Sequence, residues 1–164
     1  MEYIKYGNCM LRRAAADCLA KIMQYQYNSA SRALLITVIK TDLAESTSCL
    51  LRKTFLYFCA SAIDTLTRAT FKQHFLASYI SMSKDKVATV RMEFAKSIVK
   101  LKPFLENDPI LGNELMSLLS SMQSDLDSEV VEAVEQCDYE LLQQRKKNKE
   151  LEKTFNAADV TLTL

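Results

Sequence analysis

The residues of this sequence that could do acid–base or metal chemistry are few. His74 is the single histidine, and spacing ties no serine, cysteine or acid to it, so we expect it on a helix surface or at an interface. Glu129, Glu132 and Glu135 recur every three residues, and paired acids can share a proton or bind a metal, but such a run is typical of a solvated helix face. Residues 125–129 alternate like a calcium loop but lack its glycine and distal ligand. The sequence predicts no catalytic, cofactor-binding or metal-binding residue and no enzyme activity.

The five cysteines indicate a reduced environment rather than a disulfide framework or a zinc site. Their number is odd, and none belongs to a C-x-x-C pair. Cys18, Cys49 and Cys59 stand among apolar neighbours, so we expect them to be small buried hydrophobic residues. The residues around Cys9 and Cys137 do not indicate whether these two cysteines are buried or exposed. A reactive role for either would need an adjacent base or cation.

Length, composition and charge exclude several classes of protein. The chain has 164 residues, enough for one domain with a sizeable core, but only two glycines and two prolines, too few for many hairpins or a phosphate-binding loop. A formal net charge of +1 offers no basic excess for nucleic acid, and no apolar run is long enough to cross a membrane. The first residues lack the pattern of a signal peptide. We therefore expect a mostly helical, cytoplasmic protein with no nucleic-acid or membrane partner.

Two landmarks recur along the chain with a common period, about 40 residues in length. An aliphatic residue followed by arginine and further apolar residues occurs at Arg12, Arg52 and Arg91, and a weaker copy has Val131 in place of the arginine. A second set of apolar residues repeats at the same spacing, namely Leu35, Phe75 and Leu115, and Ile39, Tyr79 and Leu119. Two helical patterns in a unit of this length are typical of HEAT or armadillo arrays, and two rather than three favour HEAT.

Apolar stripes at helical spacing place the elements within each unit. Val90, Phe94 and Ile98 belong to one such stripe, and Leu115 and Leu119 belong to the stripe of the next helix. Asp85 is expected to cap or turn the chain before the first of these helices, and Pro103 is expected to stop it. The predicted helices span residues 8–25, 30–43, 47–62, 68–82, 86–102, 109–122 and 127–152.

The predicted fold is all-α, an α-solenoid of about 3.5 to 4 HEAT-like helical hairpins over residues 1–142. Residues 143–153 carry many charges and are predicted to extend the last helix into solvent, and residues 154–164 are predicted to be disordered. Within the extension, residues 146–149 also fit a short basic localisation signal. Because arrays need polar caps and no capping helix is predicted before Cys9, we expect a piece or short form of a longer solenoid, or a first helix that docks on another molecule.

Residues 85–101, DKVATVRMEFAKSIVKL, resemble the HEAT unit of scaffold and regulatory subunits of type-2A-like serine/threonine protein phosphatases. Weaker copies extend over residues 9–142, and the copy at residues 50–55 is similar to regulatory subunits of protein phosphatase 4. Asp85 and Arg91 match positions at which this family stacks aspartate and arginine between neighbouring repeats, so the resemblance implies a structural ladder. Ser46 and Thr47 stand near the aspartate position of the second unit, and neither is charged, so we expect an interruption of the ladder there.

The resemblance implies a non-catalytic scaffold or regulatory subunit that binds a phosphatase catalytic subunit along the edge formed by its turns. This turn edge comprises residues 25–31, 64–72 and 102–113. Aromatic residues and arginines supply much of the energy of interfaces, so the candidate partner-binding residues, in or beside these turns, are Tyr27, Arg32, Arg68, Lys72, Phe104 and Asp108. The alternatives are a general HEAT adaptor in transport or cytoskeletal assembly and, from another class, a helical enzyme or nucleotide-binding domain, which the residue inventory disfavours.

Overall fold

Helices form where the sequence carries apolar stripes. The computed structural model describes residues 2–105 and 108–161, apart from the side chains of residues 3, 5, 102–105, 109, 145 and 152–161. Within this part of the chain the regular elements are all helical, so the prediction of an all-α protein is confirmed there. The α-helices are α1 (Glu2–Tyr6), α2 (Cys9–Tyr25), α3 (Ser29–Val38), α4 (Cys49–Thr65), α5 (Arg68–His74), α6 (Leu76–Ser81), α7 (Ala88–Leu105), α8 (Pro109–Met122) and α9 (Ser128–Thr161).

Four helices begin with a polar side chain that accepts a hydrogen bond from a backbone N–H three residues later. Asn8 caps α2, Asn28 caps α3, Thr67 caps α5 and Asp108 caps α8. Such caps satisfy N–H groups that have no partner inside the helix. No described residue has a positive φ. The turns between helices are therefore built by polar caps and do not depend on the two glycines.

The longer helices form a row in which each packs on the next. Helix α2 contacts α4, α4 contacts α7, and α7 contacts α9. Helices α3, α5, α6 and α8 lie between successive members of this row along the chain. Val90, Phe94, Ile98 and Leu101 of α7 are buried, as their stripe predicts. This packing gives the described residues one continuous apolar core.

The apolar landmarks that recur once per unit lie in this core. Phe75, Tyr79, Leu115 and Leu119 are all buried, as is Ile39. Leu35 is the exception, because it is only half-buried and packs at the margin of the core. No residue of α3 between Ser29 and Val38 is buried. The first unit is therefore less covered than the units that follow it.

Two predicted helices are interrupted. The predicted helix 30–43 is α-helical only to Val38 and continues as a π-helical turn over Ile39–Ala44. Thr41 donates its hydroxyl hydrogen to the carbonyl oxygen of Thr37 in this stretch, a bond that competes with the regular helical pattern. The predicted helix 68–82 breaks at Phe75, which separates α5 from α6, and a 3-10 turn follows over Met82–Lys84.

Several predicted boundaries are also corrected. Helix α1 precedes the first predicted helix and buries Ile4, although the sequence pattern predicts no capping helix there. Helix α7 continues past Pro103 to Leu105, so proline does not end it. Helix α9 extends to Thr161, so helical backbone reaches into the segment predicted to be disordered. Residues 162–164 lie outside the described part of the chain.

The cysteines only partly follow their predicted burial. Cys59 is buried, Cys49 is half-buried and Cys18 is exposed. The prediction for Cys18 is wrong because its side chain lies on an uncovered face of α2, where it lines an open groove with Leu11 and Ile22. Cys137, which its neighbours do not place, is buried in the core.

No helix in the described ranges is both long and apolar enough to cross a lipid bilayer.

Phe75, at the break between α5 and α6, provides a test of how much a buried aromatic ring contributes to the stability of the core. Its buried ring lies 5.0 Å from the ring of Phe58 and 6.3 Å from that of Phe71, measured between centroids. We expect Phe75→Ala to lower the free energy of unfolding by about 3–5 kcal/mol, because it leaves a cavity among aromatic side chains. Leu126→Ala, at a fully exposed position, should change it by less than about 0.5 kcal/mol. Urea denaturation measures both, and equal losses would contradict this role for Phe75.

Candidate functional site: the arginine–aspartate ladder and the turn edge

The first rung of the ladder joins α4 to the turn before α7. Arg52, in the first turn of α4, donates from Nε to Oδ2 of Asp85 at 2.5 Å and from Nη2 to Oδ1 at 2.9 Å. Both side chains are only 7% exposed. The third nitrogen, Nη1, donates to the carbonyl oxygens of Ser46 and Thr47 at 2.8 and 3.0 Å. One guanidinium therefore holds together the turn before its own helix and the turn of the following unit.

The position of the Asp85 carboxylate is fixed by its own turn. Its Oδ1 accepts a hydrogen bond of 2.8 Å from the backbone N–H of Val87. Asp85 thus turns the chain ahead of α7, which begins at Ala88. Because the carboxylate is already oriented, Arg52 meets a preformed acceptor with two oxygens, the geometry that suits a guanidinium.

The second rung repeats the first. Arg91 donates from Nε and Nη2 to the two carboxylate oxygens of Asp125, both at 2.7 Å, and from Nη1 to the carbonyl oxygen of Asp85 at 2.7 Å. Asp125 accepts from the backbone N–H of Asp127 at 3.0 Å, as Asp85 does from Val87. Asp125, which the sequence suggests only as part of a calcium-like loop, is therefore the acceptor of a rung. The sequence feature that points to Asp125 is its position one repeat period after Asp85.

Charge pairing shifts the pKa values of these groups. The hydrogen bonds from Arg91 lower the pKa of Asp125, and those from Asp125 raise the pKa of Arg91. Burial by itself would raise the pKa of Asp85, but the bonds from Arg52 and Val87 outweigh it and lower the pKa. Both carboxylates are therefore held in their charged form at neutral pH.

Ser46 occupies the aspartate position of the unit before. Its Oγ accepts from the backbone N–H of Ser48 at 3.2 Å, a bond of the kind seen at Asp85 and Asp125, and its carbonyl oxygen accepts from Arg52, as that of Asp85 does from Arg91. Arg12 is the arginine at the matching position of α2, and its side chain has no hydrogen bond or ion pair with any described residue. The first unit therefore has the arginine of a rung and the second unit has its turn, but the carboxylate is lacking.

A second polar cluster spans three helices of the row. The guanidinium of Arg13 in α2 lies 4.2 Å from the ring centroid of Tyr57 in α4 and 3.1 Å from Oε1 of Glu93 in α7. Tyr57 donates its hydroxyl hydrogen to Glu93 at 3.4 Å and lies 3.6 Å from the sulfur of Cys9. The sequence does not reveal this cluster, because the pair of Arg13 and Glu93 is 80 positions apart and joins helices of two units that are not adjacent in the sequence.

The cluster shifts the pKa values of several of its members, among them Tyr57 and Cys9. Burial, together with the neighbouring Cys9 thiol and the Glu93 charge, raises the pKa of Tyr57 to about 12. The hydrogen bond with Tyr57 lowers the pKa of Cys9, and Arg13 and Lys53 act in the same direction. Tyr57 thus stays protonated and binds helices together.

Three of the six predicted partner-binding residues of the turn edge, namely Tyr27, Arg32 and Arg68, are at least partly exposed. Tyr27 is 88% exposed in the turn between α2 and α3, and Arg32 is half-buried on α3 without an ion pair to any described residue. Arg68 is exposed at the start of α5. The Phe104 side chain lies outside the described residues. The positions of Tyr27, Arg32 and Arg68 are compatible with contact to a partner.

Lys72 and Asp108 pair with each other instead of standing apart. Nζ of Lys72 in α5 donates to Oδ2 of Asp108, whose Oδ1 caps α8 by accepting from Leu111 at 3.2 Å. The bond from Lys72 lowers the pKa of Asp108. Both residues are predicted from the sequence as partner contacts, and the structure gives them a contact between two units at the same edge.

The residues considered for catalysis and metal binding do not converge. His74 is half-buried with its ring 6.2 Å from that of Phe75. Glu129, Glu132 and Glu135 line an open groove of about 530 Å³ between α7 and α9, together with Lys96. Within the described ranges, no group of three or more histidine, cysteine, aspartate or glutamate residues is placed to hold a metal ion.

Removing the arginine of a rung tests how much the ladder contributes to stability. Arg52→Ala leaves the buried carboxylate of Asp85 without its counter-charge, and we expect the free energy of unfolding to fall by about 3 kcal/mol. Arg52→Lys should recover only part of this, because lysine lacks two parallel N–H donors. Arg12→Ala is the matched control and should cost less than about 0.5 kcal/mol. Similar losses for Arg52→Ala and Arg12→Ala in urea denaturation would show that the ion pair is not responsible.

Acid should weaken the ladder. Because the folded-state pKa values of Asp85 and Asp125 are lowered, their contribution is present above the unfolded-state value of about 3.9 and is lost as pH falls through the folded-state values. Carboxylates titrate roughly between pH 5 and pH 2. Over this range we expect the unfolding free energy of the double variant Asp85→Asn, Asp125→Asn to fall less steeply than that of the wild type. Asp64→Asn, at an exposed position of α4, is the control and should keep the wild-type slope. An unchanged slope in the double variant would contradict the assignment.

Comparison of the chain with known protein families finds no match. Comparison with curated protein sequences finds none either.

Proposed function

We propose that this protein is a non-catalytic scaffold or regulatory subunit that binds the catalytic subunit of a serine/threonine protein phosphatase of the protein phosphatase 4 type. It would act in the cytoplasm as an α-solenoid of about 3.5 to 4 HEAT-like hairpins. The turn edge would receive the partner. No catalytic step by this chain is part of the proposal.

The observation that carries the proposal is the repetition of the ladder. Arg52 and Asp85 are separated by 33 residues, and Arg91 and Asp125 by 34, with the same three donor nitrogens in both rungs. A contact that recurs once per unit is what a solenoid requires, since each repeat packs only on its neighbours. The same residues, Asp85 and Arg91, carry the resemblance to phosphatase scaffold subunits.

The distribution of charged groups on the turn edge supports a contact in the first unit. Lys72 and Asp108 already neutralise each other where the later units meet. Arg32 stands one repeat period before Lys72, and the helix cap near its matching acceptor position is Thr67, which has no carboxylate. Tyr27 lies five residues before Arg32 and is almost fully exposed. Tyrosine and arginine are enriched among the central residues of protein interfaces, so this exposed tyrosine and the arginine without an ion pair are suited to contact a partner.

The test is direct binding of the purified chain to the purified catalytic subunit of protein phosphatase 4, measured by titration calorimetry. We expect Tyr27→Ala combined with Arg32→Ala to weaken binding by about tenfold or more, as for central interface residues. Lys84→Ala changes an exposed cation next to Asp85 of the ladder, outside the residues of the turn edge, and should bind like the wild type.

Two outcomes would contradict the proposal. If the catalytic subunit does not bind the wild-type chain, the phosphatase assignment is wrong. If it binds but Lys84→Ala weakens binding more than the variant at Tyr27 and Arg32, the turn edge is not the contact surface. Affinity purification from cells followed by mass spectrometry distinguishes a general adaptor, which would recover transport or cytoskeletal proteins without a phosphatase catalytic subunit.

A further inference from the structure

We propose that Ser46 is a phosphorylation site whose phosphate completes the ladder by pairing with Arg12. The modification would supply the negative charge that aspartate supplies in the other two rungs. It would thereby join α2 to the turn before α4 in the same manner as α4 is joined to the turn before α7.

The turn at Ser46 has backbone contacts like those of the aspartate turn at Asp85, but it has no charge. Its side-chain oxygen accepts from the N–H two residues later, at 3.2 Å, compared with 2.8 Å at Asp85 and 3.0 Å at Asp125. Its carbonyl oxygen accepts from Arg52 at 2.8 Å, as that of Asp85 accepts from Arg91 at 2.7 Å. The structure therefore aligns Ser46 with the two acceptors by contacts, independently of the sequence repeat.

Arg12 is aligned with the two donors in the same way. Helix α2 begins after the cap Asn8, and α4 begins after Ser48, so Arg12 and Arg52 both stand four residues after the cap. Arg12 precedes Ser46 by 34 residues, the same separation as between Arg91 and Asp125. Helix α2 packs on α4 as α4 packs on α7. The side chain of Arg12 is partly exposed and has no partner among the described residues, so it is available to an added anion.

The surroundings of Ser46 favour a phosphate. A phosphoserine carries a charge of about −1.5 to −2 at pH 7 and three acceptor oxygens, enough to bond Arg12 and retain the N–H of Ser48. Helix α4 starts at Cys49 with no side-chain cap bond and no acid in its first turn, so its N-terminal dipole is not offset. Glu45 and Asp42 are the nearby acids in this segment, and Glu45 is exposed, where water and salt screen its repulsion.

The reaction would need an ATP-dependent protein serine kinase. The γ-phosphorus of ATP forms a bond to Oγ of Ser46, its bond to the bridging oxygen of ADP breaks, and the hydroxyl proton passes to a base of the kinase. Thr47 is exposed and Ser46 half-buried in the same short turn between Ala44 and Cys49. A kinase would engage this turn, which lies outside the α-helices, without unfolding the row of helices.

The first experiment compares the full chain with and without phosphoserine placed at position 46, in the wild-type and Arg12→Gln backgrounds. We expect the phosphate to raise the thermal midpoint by about 3–6 °C when Arg12 is present and by less than half of that in Arg12→Gln. Ser46→Asp should shift the midpoint in the same direction, whereas Thr47→Asp, with the same charge one residue away, should not. A midpoint that falls, or a shift that is equal in both backgrounds, would overturn the pairing with Arg12.

The second experiment asks whether the site is used. The chain is expressed in eukaryotic cells, purified with phosphatases inhibited and digested with trypsin, which releases residues 41–52 as one peptide by cleavage after Lys40 and Arg52. We expect fragmentation spectra to place phosphate on Ser46. A peptide without phosphate, or with phosphate only on Thr47 or Ser48, would refute the assignment.

Discussion

A guanidinium that bonds two turns at once is the contact on which the arrangement of the units depends. Arg91 donates two hydrogen bonds forward to Asp125 and one back to the carbonyl oxygen of Asp85, and Asp85 itself accepts from Arg52. Burying charges is costly, and it is tolerated only where each donor and acceptor is satisfied. The bidentate geometry and the backbone N–H of each turn meet this requirement. The turn at Asp85 is thus fixed by the arginines on either side of it.

The apolar core and the ladder constrain the same helices in different ways. Phe94 and Ile98 of α7 supply burial, which favours contact between α7 and its neighbours without specifying register. The rung from Arg91 begins one turn earlier on the same helix and allows only the register in which two nitrogens face two oxygens. Core and ladder together therefore fix both the contact and its alignment.

Prediction from the sequence is most effective where a feature repeats. The common spacing identifies Tyr79 and Leu119 as core residues and draws attention to Arg91, whereas Asp85 is identified by its place before a helix stripe and by the family resemblance. The spacing also places Asp125 one period after Asp85, but it does not show that Arg91 bonds Asp125 or that Arg13 bonds Glu93, because such pairs depend on how helices dock across long stretches of chain. The π-helical turn at Ile39–Ala44 and the break at Phe75 are not predicted either, since they arise from local backbone bonding that an apolar stripe does not report.

The ladder and the turn edge share an asymmetry that the repeat makes visible. At the ladder, the position matched to Arg12 of the first unit holds Ser46 instead of an aspartate, and at the turn edge Arg32 matches Lys72 of the next unit, which faces an acid. In the later units the corresponding cations are neutralised by carboxylates within the chain. An arginine without an internal carboxylate keeps its charge available to an anion from outside, whether a phosphate or an acidic partner. The proposed phosphate at Ser46 and the proposed partner contact at Tyr27 and Arg32 would therefore both bring an anion to an arginine of the first unit.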